Sequence, residues 1–276
     1  CFDKLLEINS KHINALYQKD FVLFLLGKLK ESIQFFDKAL SNEPNHIDSL
    51  MQKGIVLRKL GNFDDSLSCF EYILKLNSKN ISAICNIGIT QCENGQYDDA
   101  INILQKGIRI EPLNNQLHLC LGNVYNLLGK YDESIKHCEK ILLYDPHHFD
   151  ALLLKGKLLM KSGKSNESIE YFEKAIFVNP HNIEALHLIA KAYELLCMHD
   201  KSLKYLDLIL QKDPHNITMM YEKSRILIQQ GAVNNALQIV RQIVKSKPNY
   251  AHVLSNDYLF DDLKNIPQFR TLISMN

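Results

Sequence analysis

Residues 149–182, FDALLLKGKLLMKSGKSNESIEYFEKAIFVNPHN, decide the fold. Leu152 and Leu159 flank a tiny residue, Gly156, at helical spacing. Gly163 then stops that helix, because glycine enters the left-handed turn at a helix end without steric cost. Ser168, Phe172 and Ala175 mark one face of a second helix. Pro180 cannot continue it, since proline lacks the backbone N–H and clashes with the preceding turn.

The same punctuation recurs every 34 residues on either side. Pro112, Pro146, Pro180, Pro214 and Pro248 share one grid, with Pro44 on the same count. Gly27, Gly61, Gly95, Gly129, Gly163 and Gly231 share a second, and Cys197 stands at its missing beat. Gly54, Gly88, Gly122 and Gly156 share a third, continued by Ala190 and Ser224. A fixed internal period of this length marks a repeat array, which builds an extended surface rather than a catalytic cleft.

Counting from Ile13 gives seven repeats: 13–46, 47–80, 81–114, 115–148, 149–182, 183–216 and 217–250. In repeat 2 the first helix is predicted from about Asp48 to Leu60, with apolar Leu50, Leu57 and Leu60 at helical spacing. The second is predicted to start at Asp64, an acceptor for the free N–H groups there, and to bury Leu67, Phe70, Ile73 and Leu74. Asp98, Asp132, Asn166, Asp200 and Asn234 hold the same place. A glycine inside a helix costs about 1 kcal/mol relative to alanine. Its recurrence implies close approach by the second helix, where Ser32, Ser66, Ala100, Ser134, Ser168, Ser202 and Ala236 recur.

This pattern resembles the tetratricopeptide repeat (TPR). Leu121, Gly122, Tyr125, Ser134 and Pro146 carry it in repeat 4, and Leu152, Gly156, Leu159, Ser168, Phe172, Ala175 and Pro180 in repeat 5. The resemblance spans 13–250. It implies an all-α fold: a right-handed superhelical solenoid of antiparallel helix pairs. The family's tryptophan is replaced by Leu16, Leu50, Ile84, His118, Leu152, Leu186 and Met220. Asp20 occupies a small-residue site, Gln91 a usually apolar one, and Cys197 the turn glycine.

The ends extend this reading. Phe2-Asp3-Lys4-Leu5-Leu6 parallels Phe36-Asp37-Lys38-Ala39-Leu40, so residues 1–12 read as the second helix of a truncated repeat. The expectation is a fragment of a longer protein. Residues 251–276 leave the period. Leu254, Tyr258, Leu259, Leu263, Phe269 and Leu272 read as one or two capping helices over the last pair, with Asp257, Asp261, Asp262 and Lys264 outward. Residues 1–276 are thus expected to form a single array.

A formal net charge of +1 gives no pull toward nucleic acid or acidic lipid. No apolar run reaches the ~18–20 residues that span a bilayer. The seven cysteines include no CxxC pair. Cys85 and Cys92 share a helix face but lie ~10 Å apart, too far for a disulfide. Reduced thiols and a cytoplasmic or nuclear location are expected. His46, His147, His148, His181 and His215 fall in turns between repeats and read as polar turn residues. No phosphate loop, metal-ligand spacing or catalytic dyad is present. The expectation is a non-enzyme without cofactor or metal.

In the resembled family the first helix of each pair lines a groove in which target peptides bind. Carried over by register, repeats 1–3 present Tyr17, Phe21, Phe24, Met51, Ile55, Cys85, Asn86 and Ile89, mostly apolar. Repeat 4 adds Leu119, Asn123 and Asn126, and repeats 5–7 add Lys157, Lys161, His187, Lys191, Glu194, Tyr221 and Arg225. Lys157, Lys191 and Arg225 share one register. They read either as a basic ladder for an anionic group or as a face neutralised by Asp150, Glu184, Glu194 and Glu222. Asn123 reads either as holding an extended peptide's backbone with its amide, as a matching asparagine does in some members of the resembled family, or as an idle polar residue. The apolar stretch reads as a ligand groove, or as a surface covered by upstream repeats or by a second copy through self-association. The carboxylate clamp of some relatives is excluded, because Met51 and Ile55 stand where it needs lysine and asparagine. The leading function is a protein-binding scaffold taking a peptide or helix in the groove. The alternatives are a regulatory arm of a larger enzyme, such as a transferase, and RNA binding, which the near-neutral charge opposes. Neither nucleic acid nor membrane is an expected partner.

Overall fold

The computed structural model describes residues 28–273. The expectations at residues 1–12, Leu16, Tyr17, Asp20, Phe21, Phe24 and Gly27 lie outside the described residues, as does the side chain of Asp262. The chain forms two compact units that divide between Tyr144 and Asp145. The first holds α1 (Leu29–Asn42), α2 (Ile47–Lys59), α3 (Phe63–Leu76), α4 (Ile81–Glu93), α5 (Tyr97–Ile110), α6 (Asn115–Leu127) and α7 (Tyr131–Tyr144). The second holds α8 (Phe149–Lys161), α9 (Ser165–Val178), α10 (Ile183–Leu195), α11 (His199–Lys212), α12 (Ile217–Gln229), α13 (Val233–Ser246) and α14 (Tyr250–Asn256). A 3-10 helix (Tyr258–Asn265) and α15 (Pro267–Ile273) complete it. The described residues contain no strand. The helices pack in consecutive pairs.

Six first helices begin at residues 47, 81, 115, 149, 183 and 217, each the first residue of its repeat. The residue before each is the reason. Asn80, Asn114, Asn182 and Asn216 each accept a hydrogen bond from the backbone N–H three residues on. His46 and His148 do the same. These two histidines cap helices, which fits their reading as turn residues.

The helix ends follow one geometry. In repeat 2, Asn62 N–H donates to the Leu57 carbonyl and Gly61 N–H to that of Arg58, both at 2.9 Å. This double bond pattern closes a helix around a left-handed residue, and Gly61 has φ +79°. Cys197 adopts the same turn at φ +55° with the same bonds, from Met198 to Tyr193 and from Cys197 to Glu194. The period therefore outranks side-chain preference here.

The second helices depart from expectation. They start at residues 63, 97, 131, 165, 199 and 233, one residue before the predicted acceptor. Their flanking residues Asn62, Gln96, Lys164, Met198 and Ala232 make no side-chain cap. Asp64 and its equivalents sit inside the first turn instead. There a carboxylate favours the positive end of the helix dipole.

Close approach explains the tiny residue. A Cβ at Gly54 would lie 2.6 Å from the Phe70 ring, and one at Gly156 would lie 2.4 Å from that of Phe172. Both rings are fully buried. The small residue opposite does more than leave room. Ser66, Ser134 and Ser202 donate their hydroxyls to the carbonyls of Gly54, Gly122 and Ala190, at 2.6–2.8 Å. Each bond pins two helices of one repeat together across a buried contact, contributing about 1 kcal/mol.

At the position of the missing tryptophan in repeat 4, His118 is 2% exposed. Its Nε2–H donates to the Pro112 carbonyl at 2.8 Å. Its Nδ1 lies 2.9 Å from His137 Nδ1, in hydrogen-bond contact. Tyr125 stacks on His137. Burial and His118 hold His137 down at about 4.

Three short helices cover the last pair. Leu254, Phe260, Leu263 and Phe269 join Leu237, Val240 and Val244 in one buried cluster. Tyr258 is 71% exposed and takes no part. Asp257 points inward instead of outward, its side chain only 7% exposed.

Candidate functional site

Because one repeat is 34 residues, each position on a first helix meets a fixed position on the next. Positions 35 apart pair directly. Asn86 Nδ2 donates to Met51 Sδ at 3.5 Å, and His187 Nε2 lies 2.7 Å from Glu222 Oε2. Lys157 reaches Glu184, 27 residues on, at 2.5 Å.

In the first unit Met51 and Ile55 are half-buried against the core of Leu50, Phe70, Ile73, Ala83 and Ile87. Ile89, Leu119 and Asn126 are also half-buried. Cys85 is fully buried, so it belongs to the core and not to the binding face. Asn86 is engaged: besides Met51, its amide donates to the Ser82 carbonyl at 2.9 Å, and its Oδ1 accepts from Arg58 Nη1 at 3.2 Å. Asn123 is exposed.

Arg58 was not among the sequence candidates. Its side chain is 12% exposed, with Nε 3.7 Å from Glu93 Oε2. Burial pushes its guanidinium below the ordinary value, while Glu93 and Cys120 push back. Arg58 lies in the last turn of its helix, where a basic residue reads as a response to the dipole. The signal that could have found it is its spacing of 28 residues from Asn86.

In the second unit the basic ladder is paired throughout. Lys157 is held by Glu184 at 2.5 Å, Lys191 by Glu194 at 2.8 Å, and Arg225 Nε lies 3.1 Å from Asp257 Oδ2. Glu222 takes His187 instead of a ladder cation. Lys161 is exposed. Tyr221 and Arg225 are both engaged by the terminal segment. Tyr221 OH donates to Asp257 Oδ2 at 2.6 Å, and the Arg225 guanidinium lies 5.8 Å from the Tyr221 ring centroid. Burial and Asp257 push the Tyr221 hydroxyl up to about 12. Sequence reasoning could not see this because Asp257 lies outside the period. Among the described residues no three His, Cys, Asp or Glu side chains converge as a metal site. No described helix is long and apolar enough to cross a membrane.

Models of the tetratricopeptide repeat match residues 15–46, 85–151 and 126–192, together just over half of the chain. The chain belongs to the tetratricopeptide repeat family. Solved structures agree on the fold. A TPR protein from Parabacteroides merdae aligns over 96% of this chain and 99% of its own, at 18% identity and TM-score 0.61. PilF of Pseudomonas aeruginosa aligns over 79% and 96%, at 15% identity and TM-score 0.64. A thermophilic TPR protein of Thermus thermophilus aligns over 67% and 98%, at 18% identity and TM-score 0.56. Among curated proteins none matches closely enough to lend this TPR chain a function. The TPR fold fits a protein–protein interaction scaffold, since stacked helix pairs expose a long face of first helices.

Proposed function

We propose that the chain is a non-enzymatic scaffold that binds an extended peptide segment on the first helices of its first unit. One observation carries this reading. The ninth position of three successive repeats holds Ile55, Ile89 and Asn123, two half-buried apolar side chains followed by an exposed amide. At the same position in the second unit, Lys157, Lys191 and Arg225 are each held by a carboxylate of the chain itself. An apolar peptide side chain gains contact over Ile55 and Ile89, about 25 cal/mol for each Å² removed from water. The Asn123 amide, with one donor group and one acceptor, suits the N–H and C=O of an extended backbone. Arg58 adds a donor beside this track for a carbonyl or carboxylate of the ligand.

Peptides selected from a random displayed library on the purified chain test the reading. Enriched sequences should carry apolar residues. Their affinity should fall about tenfold with Asn123→Ala, the scale of one lost hydrogen-bonded contact, and further with Ile89→Asp. Lys157→Met should leave affinity unchanged. Equal binding to wild type and to Asn123→Ala and Ile89→Asp would place the site elsewhere.

A further inference from the structure

Cys85 and Cys120 are 35 residues apart, the spacing that brings Met51 to Asn86 and His187 to Glu222. The register therefore sets the two thiols against each other across α4 and α6. Both belong to the cluster around Ile84, Leu104, Leu117 and Leu121, with Cys85 fully buried and Cys120 half-buried. Each thiol shifts the other through a side-chain hydrogen bond, Cys85 upward and Cys120 downward.

We propose that Cys120 and Cys85 form a redox-responsive thiol pair, in which Cys120 attacks a peroxide and Cys85 resolves the product into a disulfide joining α4 to α6. The roles follow from access and charge. As a residue Cys120 is the less buried of the two, and the hydrogen bond from Cys85 with the nearby Arg58 charge holds its thiol below the usual range against the effect of burial. Cys85 is raised by giving that hydrogen bond and by burial, so it keeps its proton until the second step. In the first step the Cys120 thiolate forms an S–O bond as the peroxide O–O bond breaks. The sulfur is oxidised to a sulfenic acid, and the departing hydroxide takes the proton that Cys120 lost. In the second, the Cys85 sulfur forms the S–S bond and its proton leaves with the sulfenic hydroxyl as water. Two thiols lose two hydrogens in all, and one peroxide becomes two waters. The bond would fix the spacing of repeats 3 and 4 beside Arg58 and Asn86. Cys92 lies close enough to feel the charge of Cys120 but shares no hydrogen bond with it. It therefore serves as an internal control.

The test treats the purified chain with equimolar hydrogen peroxide, blocks free thiols in denaturant, and maps peptides without reduction. The expected result is one cross-linked pair, Cys85 to Cys120, with loss of two of the seven thiols and full recovery on reduction. Cys85→Ala should leave Cys120 as a sulfenic acid that dimedone captures. Cys120→Ala should show no cross-link. A Cys92–Cys120 link in wild type overturns the proposal, as does oxidation of exposed Cys197 while Cys85 and Cys120 stay free. Both readouts come from the wild-type chain and do not depend on how the variants fold.

Discussion

Asp257 ties the terminal helices to the repeats, and removing it should release them. Its carboxylate accepts from Tyr221 OH at 2.6 Å and from Leu259 N–H at 3.1 Å, and it faces Arg225 Nε at 3.1 Å. Hydrogen bonds to a charged group contribute roughly 1.5–3 kcal/mol each. Arg225 is 27% exposed, so water recovers part of its loss, and Leu259 N–H can turn to solvent. Asp257→Ala should therefore cost about 3 kcal/mol. The cost should fall on the cap rather than spread along the array, because each repeat contacts only its neighbours. Amide exchange over residues 250–273 should accelerate by about 100-fold, the equivalent of that energy, with exchange over α8–α10 unchanged. Asp257→Asn keeps the Leu259 bond and should cost less, about 1–2 kcal/mol. In a double-mutant cycle with Arg225→Met, the coupling should exceed roughly 0.5 kcal/mol, the additivity limit for independent sites. If Asp257→Ala leaves exchange in the cap at the wild-type rate, Asp257 is a bystander and the terminal helices are held by Phe260 and Phe269 alone.

Three further outcomes are expected. Cys197→Gly should stabilise the chain by about 0.5–1 kcal/mol in urea melts, since φ +55° strains a side-chain-bearing residue and suits glycine; a loss of stability would show that the Cys197 side chain packs usefully. Gly156→Ala should destabilise by about 1–2 kcal/mol, because overpacking against Phe172 at 2.4 Å outweighs the ~1 kcal/mol helix gain; a stabilised variant would mean that the ring yields freely. For pH, His137 sits at about 4 in the fold against 6.5 for the free imidazole, so the unfolded chain takes the proton first. The stability held by the neutral His137 imidazole is whole above about 6.5 and drains away between 6.5 and 4. Partial exposure limits the loss to about 1–2 kcal/mol. Urea midpoints at both ends of that range should therefore fall more for wild type than for His137→Gln, and equal falls would refute the assignment.

The repeat was legible because three different physical needs recur on one count. Gly61 and its equivalents satisfy a left-handed turn, Gly54 a close contact, and Pro112 a chain reversal. First helices begin at the repeat boundaries for this reason, in repeat 2 one residue ahead of the expected Asp48. The second helices begin one residue ahead of the expected acceptor, because the turn that ends the first helix also begins the second. Asn62, bonded through its N–H to Leu57, is already the flanking residue, so Asp64 falls inside. The real caps, Asn80, Asn114, Asn182 and Asn216, were visible as letters. They carried no reading because they precede the helix by one position across the repeat boundary. Side-chain pairing was less legible still. Cys85 shares a helix face with apolar groove positions, and only its burial separates them. Asp257 has no periodic equivalent, so nothing in the pattern announced that it would meet Tyr221 and Arg225.

The ladder shows what a shared register can and cannot decide. Position sets which neighbour a side chain meets, and the residue there sets whether it stays available. Lys157 meets Glu184, and Lys191 meets Glu194 on its own helix. Such partly exposed pairs contribute about 0–1 kcal/mol, so an anionic ligand could displace either carboxylate at little cost. Arg225 differs, because its partner Asp257 is 7% exposed and also holds Tyr221. Displacing it strands a buried carboxylate, which costs several kcal/mol. One register therefore contains two exchangeable cations and one that is structural. The third serves the terminal cap, and in the second unit the face open to a ligand at this position narrows to Lys157 and Lys191.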